Sequence, residues 1–307
     1  MSLERLLQEL ADHNRPLRHT ALIDLSNLSA SEMARFAQIW PTLNPSRRRK
    51  VVNRLVELAE ENAELDFSAV FRCCLRDADE EVRGAAIPGL WEFEDRTIIP
   101  TLLEMLREDP CEQVRAAAAI ALGKFASLAQ QGKLLERDSE RIREALLSVL
   151  QNHHEPLEVS RRALEAAALY NTREVAEYIW RAYQSQNHSL QCSSIYAMGQ
   201  TGELSWLPVL LKELKSSSPA IRYETVQACA ELADEEAVPH LIPLLEDDDL
   251  EVQISSIRAL SEIGGPLARR ALRRCVHSSE EIVSQAAQEA LENMEAIEDP
   301  LAFRHEV

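Results

Sequence analysis

Eight histidines and six cysteines are the residues of this 307-residue chain best suited to chemistry. Metal ligation needs three or four converging donors. His153-His154-Glu155 is the only internal His-Glu step, and His13, His19, His188, His240, His277 and His305 stand singly, mostly at predicted turns or surface positions. Cys73, Cys74, Cys111, Cys192, Cys229 and Cys275 form no Cys-x-x-Cys pair. Most fall inside predicted helices, where cysteine acts as a small hydrophobe, so free thiols in a reducing, cytoplasmic setting are expected. There is no Gly-rich phosphate loop, no nucleophile elbow and no defensible Ser-His-Asp spacing. The residue types therefore predict no catalytic group, no metal and no cofactor, and a chain without enzymatic activity.

Charge narrows the partners. The net charge of −18 opposes general binding to nucleic acid or anionic lipid, whose phosphates need Lys and Arg. Two basic clusters run against it: Arg47-Arg48-Arg49-Lys50 with Arg54, and Arg269-Arg270 with Arg273-Arg274. The second lies on roughly one side of a helix. Either can meet an acidic partner or a phosphate; in a chain this acidic, local carboxylates compete for both. Residues 1–7 read as an amphipathic helix start, without the basic and apolar regions of a signal peptide. No apolar run approaches the roughly 18 residues that span a membrane.

The elements that must position any site repeat about every 31 residues. Leu17, Arg48, Val82, Val114, Val159, Leu190, Ile221, Val252 and Val283 fall in register, with steps of 31, 34, 32, 45, 31, 31, 31 and 31. A fixed period of this length marks a stacked array. Counting each register residue as position 0, positions 0, +4, +7, +8 and +11 share one helical face. Small residues recur at +4 and +7 (Ala118, Ala163, Ala197, Ala228, Ala259) and larger ones at +8 (Leu90, Leu122, Met198, Leu260). A second helical pattern precedes each, opened by Pro100, Pro208 or Pro239 in an early turn. Polar turns lie between the two, and Gly202 and Gly264-Gly265 close later helices.

With those residues in place, the unit Asp-x-x-x-x-Val-Arg-x-x-Ala-x-x-Ala-Leu-Gly resembles the HEAT-like repeat, in the short form of the phycobilisome lyases. Asp109 through Gly123 is the nearest copy, and Tyr196–Gly202 and Ala259–Gly264 match its end. The resemblance implies an all-α, right-handed α-solenoid of about nine two-helix repeats. Residues 1–307 would form a single solenoid, with degenerate repeats over 1–65, regular repeats over 66–295 and a C-terminal tail over 296–307. The 45-residue step implies an insert near 127–141, read as a surface loop that either binds or is merely tolerated. Family members also imply that Arg at +1 (Arg83, Arg115, Arg222) and Asp at −5 (Asp77, Asp109, Asp247) tie successive turns into a ladder.

In such solenoids the second helices line the concave surface, and positions +2, +6 and +9 face away from the core. Those rows hold Trp91, Ile120, Tyr196, Tyr223, Ile254 and Arg258, an apolar and aromatic stripe with little charge. Tyr, Trp and Arg are favoured interface anchors. The expectation is a cytoplasmic scaffold that binds a protein or peptide there; curvature that turned these residues inward would bury them instead. The namesake lyases imply an alternative, a bilin lyase or isomerase-type or other enzyme accessory subunit. HEAT-type di-iron hydroxylases carry several His-Glu steps on successive repeats, which this chain lacks. HEAT-like DNA glycosylases need a basic groove, which this neutral stripe is not. Oligomeric state is left open.

Overall fold

The computed structural model describes residues 3–12, 18–90 and 94–298. Among them every regular element is a helix, and the chain divides into two units, Met1–Ala166 and Ala167–Val307. The first unit holds α1 (Leu3–Ala11), α2 (Ala30–Ile39), α3 (Pro45–Glu61), α4 (Ser68–Cys74), α5 (Glu80–Ala86), α6 (Ile99–Glu108), α7 (Glu112–Gln130), α8 (Glu136–Gln151) and, at its border, α9 (Leu157–Ala167). The second holds α10 (Arg173–Tyr183), α11 (His188–Gln200), α12 (Leu207–Glu213), α13 (Pro219–Leu232), α14 (Val238–Leu241), α15 (Leu250–Ile263), α16 (Gly265–Cys275) and α17 (Glu281–Glu298). Within each unit successive helices pair, and the later helix of one pair packs on that of the next, as α11 on α13 and α13 on α15.

Local chemistry sets the boundaries. Pro100, Pro208 and Pro239 sit in first turns, where the missing N–H has no helical partner to lose. The second helix of a pair is capped three residues before the register residue. Asp79 accepts from the backbone of Glu81 and Val82, Asn187 from Leu190, Ser218 from Ile221 and Asp249 from Glu251 and Val252. Each such cap is worth about 1 kcal/mol. Gly264 ends α15 at φ +80°, a conformation that a Cβ makes costly.

The core is the face expected from the period. Val114, Ala118, Ala121 and Leu122 are buried, as are Ile221, Thr225, Ala228 and Cys229. The buried hydroxyls at +4 are satisfied locally: Thr225 donates to the Ile221 carbonyl at 2.6 Å and Ser256 to that of Val252 at 2.8 Å.

The turns are joined by a ladder. Arg83 donates from Nε and Nη2 to Asp109 at 2.7 and 2.8 Å, and Arg222 makes the same pair with Asp247 at 2.7 and 2.6 Å. Arg49 bonds Asp79 through both nitrogens and holds its carboxyl below the usual carboxylate range. Arg115 reaches Glu155 at 2.9 Å. The same arginines also bond the carbonyl at −5 of their own repeat: Arg83 to Asp77, Arg115 to Asp109 and Arg222 to Ser216. Where Gln replaces Arg that bond survives, from Gln191 to Ser185 and from Gln253 to Asp247. The ion pair to the next repeat does not, because an amide reaches less far and carries no charge.

Residues 127–141 fold differently from the expected surface loop. They lengthen α7 to Gln130, turn through Gly132 at φ +68° and open α8 at Glu136. Leu128, Ile142 and Ala145 are buried, so the apolar face continues across the turn, and Glu136 and Asp138 complement the α8 N-terminus.

Candidate protein-binding face

The three rows expected to face outward behave in three ways. Position +6 is open: Ile120 and Tyr196 are 41% and 40% exposed, and Arg258 is exposed. Position +2 is partly covered, with Tyr223 and Ile254 half-buried. Position +9 closes onto the neighbouring helix. Gly123, Gly199, Ala230 and Ser261 are buried, and a Cβ built on Gly199 would lie 2.7 Å from the Ala228 Cα. Trp91, also at +9, lies outside the described residues. Tyr196, Tyr223, Ile254 and Arg258 belong to α11, α13 and α15 of the second unit, which pack in succession. Gln227 on α13 bonds Ser255 on α15 at 3.1 Å. Ile120 stands on α7 of the first unit.

This face offers aromatic and aliphatic surface, one phenol hydroxyl per Tyr and a guanidinium, on rigid helices. It can bury apolar side chains and place polar contacts at their edge.

The arginines of the first basic cluster are engaged internally, while Lys50 is exposed. Arg48 is buried 3.0 Å from Asp77 and donates to the Leu43 carbonyl at 2.6 Å; Arg49 serves the ladder; Arg54 pairs with Glu57 and Glu61 at 2.7 and 2.9 Å. In the second, Arg270, Arg273 and Arg274 are exposed on α16 and make no ion pair among the described residues. None of the described cysteines forms a disulfide. Burial pushes the Cys74 thiol well up and that of Cys229 to about 12, so neither is a thiolate near neutrality.

One cluster escaped the sequence reading. Trp180 on α10 stacks on Trp206 at 6.2 Å and meets Tyr183 at 5.5 Å, while the Tyr183 hydroxyl donates to Glu213 at 2.7 Å. These residues lie on first helices and their lead-in turns, whereas the expected anchors all lie on second helices. Trp180 and Tyr183 on one first helix, followed by Trp206 in the lead-in turn of the next, are the signal that marks them.

Paired helices at this period, capped and laddered in register, define an α-helical repeat protein. HEAT repeats match residues 68–150 and 207–292, more than half of the chain, and the chain belongs to the HEAT repeat family. Among curated proteins it is 25% identical over 199 residues to the deoxyhypusine hydroxylase of Candida albicans. That match covers 58% of this chain and 63% of the relative, so the chain spans less than two thirds of its length. Among solved structures, the complex of CpcE and CpcF of phycocyanin lyase from Nostoc is 15% identical with a TM-score of 0.53, over 92% of this chain and 97% of that one. It shows the shared fold. Human deoxyhypusine hydroxylase is 22% identical over 95% and 96% of the two chains, with a TM-score of 0.32.

The curated relative corrects the expectation of a chain without enzymatic activity: it is an enzyme, and that expectation does not stand. A metal-dependent hydroxylation would need converging donors. The residues described do not fit that requirement: no group of three or more His, Cys, Asp or Glu among them could hold a metal ion. His153 and His154 are exposed in a turn, and Glu155 is taken by Arg115. Among the described residues no helix is long and apolar enough to cross a membrane.

Proposed function

We propose that the protein binds another protein or a peptide on the second-helix face of its second unit, with Tyr196, Tyr223, Ile254 and Arg258 as anchors. The observation that carries this reading is the exposure of Tyr196 and Arg258 beside half-buried Tyr223 and Ile254 on three successively packed helices. Large amphipathic side chains on rigid elements lose little entropy on contact. The HEAT repeat family supplies the framework. The test is affinity capture from native lysate with wild type and the double variant Tyr196→Ala/Tyr223→Ala. Partners retained by wild type are expected to fall by about tenfold or more in the variant, equivalent to about 1.4 kcal/mol, with the helical circular dichroism unchanged. Equal recovery by both proteins would sink the proposal.

A second reading, an activity like that of the curated relative, is favoured by that relationship. Incubation with a deoxyhypusine-bearing protein separates the two. Gain of one oxygen on the substrate establishes the second reading, and an unaltered mass counts against it.

A further inference from the structure

A cleft of about 680 Å³ opens in the first unit between α2, α3, α4 and the start of α6. No residue of the second-helix rows lines it. Its volume is within the usual range for small-molecule sites.

The charges around the cleft are unequal. Asp77 is the only carboxylate among its described lining residues, against Arg48, Arg72 and Arg76. Asp77 is already committed. Its Oδ2 accepts from Trp40 Nε1 at 2.6 Å and lies 3.0 Å from Arg48 Nε, and its Oδ1 accepts from the Asp79 backbone at 2.9 Å. Arg48 offsets its charge in the buried floor. Arg72 pairs with Asp95 at the edge. That leaves Arg76, exposed and without an ion-pair partner among the described residues. In a chain of net charge −18, an unneutralised guanidinium beside a cleft is the opposite of what composition alone would place there.

The rest of the lining is mostly apolar. Met33 and Ile98 supply aliphatic surface, and Ala37, Ala69 and Ala78 are small enough to leave room. Cys73 also lines the cleft, but burial pushes its thiol up, away from thiolate character. The arrangement pairs an apolar wall with the Arg76 guanidinium, which has no ion-pair partner among the described residues, and a guanidinium forms charge-assisted bonds to carboxylate, sulfonate or phosphate oxygens.

We propose that this cleft binds a small amphipathic anion, with its apolar body against the Met33 and Ile98 wall and its acidic group on Arg76. The site is separate from the second-helix face, so the two proposals fail independently.

Fluorescence titration tests it with anilinonaphthalene sulfonate, an apolar body bearing one anion, and with neutral phenylnaphthylamine. Wild type is expected to bind the sulfonate saturably at one site. Arg76→Glu should weaken that binding by about tenfold or more and leave the neutral dye unaffected. Arg76 is exposed and has no ion-pair partner among the described residues, so the thermal midpoint should not move. Ala37→Trp, which fills the cleft, should abolish both signals. Superimposable sulfonate titrations for wild type and Arg76→Glu overturn the proposal, as does the absence of saturable binding. Should Ala37→Trp lower the thermal midpoint, the Arg76→Glu comparison alone decides between these outcomes.

Discussion

Asp77→Ala is expected to lower the stability of the first unit by about 3–5 kcal/mol, the cost of breaking a buried ion pair from one side. The carboxylate serves three groups at once: the Trp40 indole N–H, the Arg48 guanidinium and the Asp79 backbone. Its loss strands a charged Arg48 that is only 6% exposed. Arg48 Nε faces Asp77 at 3.0 Å yet has no aligned hydrogen-bond acceptor, so charge more than directed bonding holds the pair. The double variant Arg48→Met/Asp77→Asn should recover much of the loss, since it removes both charges and keeps an acceptor for Trp40. Urea unfolding midpoints measure both. An Asp77→Ala loss under about 1 kcal/mol would contradict the buried-pair account.

The second large effect comes from one methyl group placed at two glycines. At Gly199 it would sit 2.7 Å from the Ala228 Cα and 3.0 Å from its Cβ, so α11 and α13 must move apart. Gly199→Ala should cost roughly 1–3 kcal/mol as overpacking. At Gly84, inside α5, the nearest atom to the new methyl is a Val114 side-chain carbon at 3.8 Å. Gly84→Ala should therefore stabilise by about 0.5–1 kcal/mol through helix propensity alone. Opposite shifts in the denaturation midpoint are the expected result; equal shifts would show that the helices have slack to give. Tyr196 stands one turn before Gly199, so Gly199→Ala should also weaken partner capture.

The period made the helical faces legible because position 0 and the small residues at +4 and +7 answer to one constraint, close packing between neighbouring helices. Ile120, Tyr196 and Arg258 could be placed outward from register alone. Position +9 could not, since whether it faces solvent or the next helix depends on how tightly the helices approach, and Gly123 and Gly199 bring them close. The cleft was illegible for a different reason. Trp40, Arg72, Arg76 and Asp77 come from the irregular first repeats and their neighbour, where no period relates one element to the next. The basic cluster at Arg47–Lys50 was a charge run in the sequence, yet its members point to different partners once α3 is wound. Residues 127–141 show the remaining gap: extra length was visible, but whether it formed a loop or longer helices depended on burial of Leu128 and Ile142.

The unequal distribution of the ladder gives the two units different kinds of cooperativity. In a nearest-neighbour array, global unfolding is cooperative to the extent that adjacent repeats are coupled. The first unit couples its repeats ionically, through Arg49–Asp79, Arg83–Asp109 and Arg115–Glu155. In the second, Arg222–Asp247 is the one ionic rung among the described register arginines, and side-chain hydrogen bonds such as His188–Ser218 and Gln227–Ser255 join other repeats. Dissolved salt reaches exposed charges far more than partly buried contact pairs, so among these rungs it acts most on Arg49–Asp79, whose Arg is 37% exposed, and less on those of Arg83 and Arg115. Ionic strength should therefore loosen the first unit at its Arg49–Asp79 junction before the other rungs, whereas in the second unit the spread of a local opening is set mainly by packing.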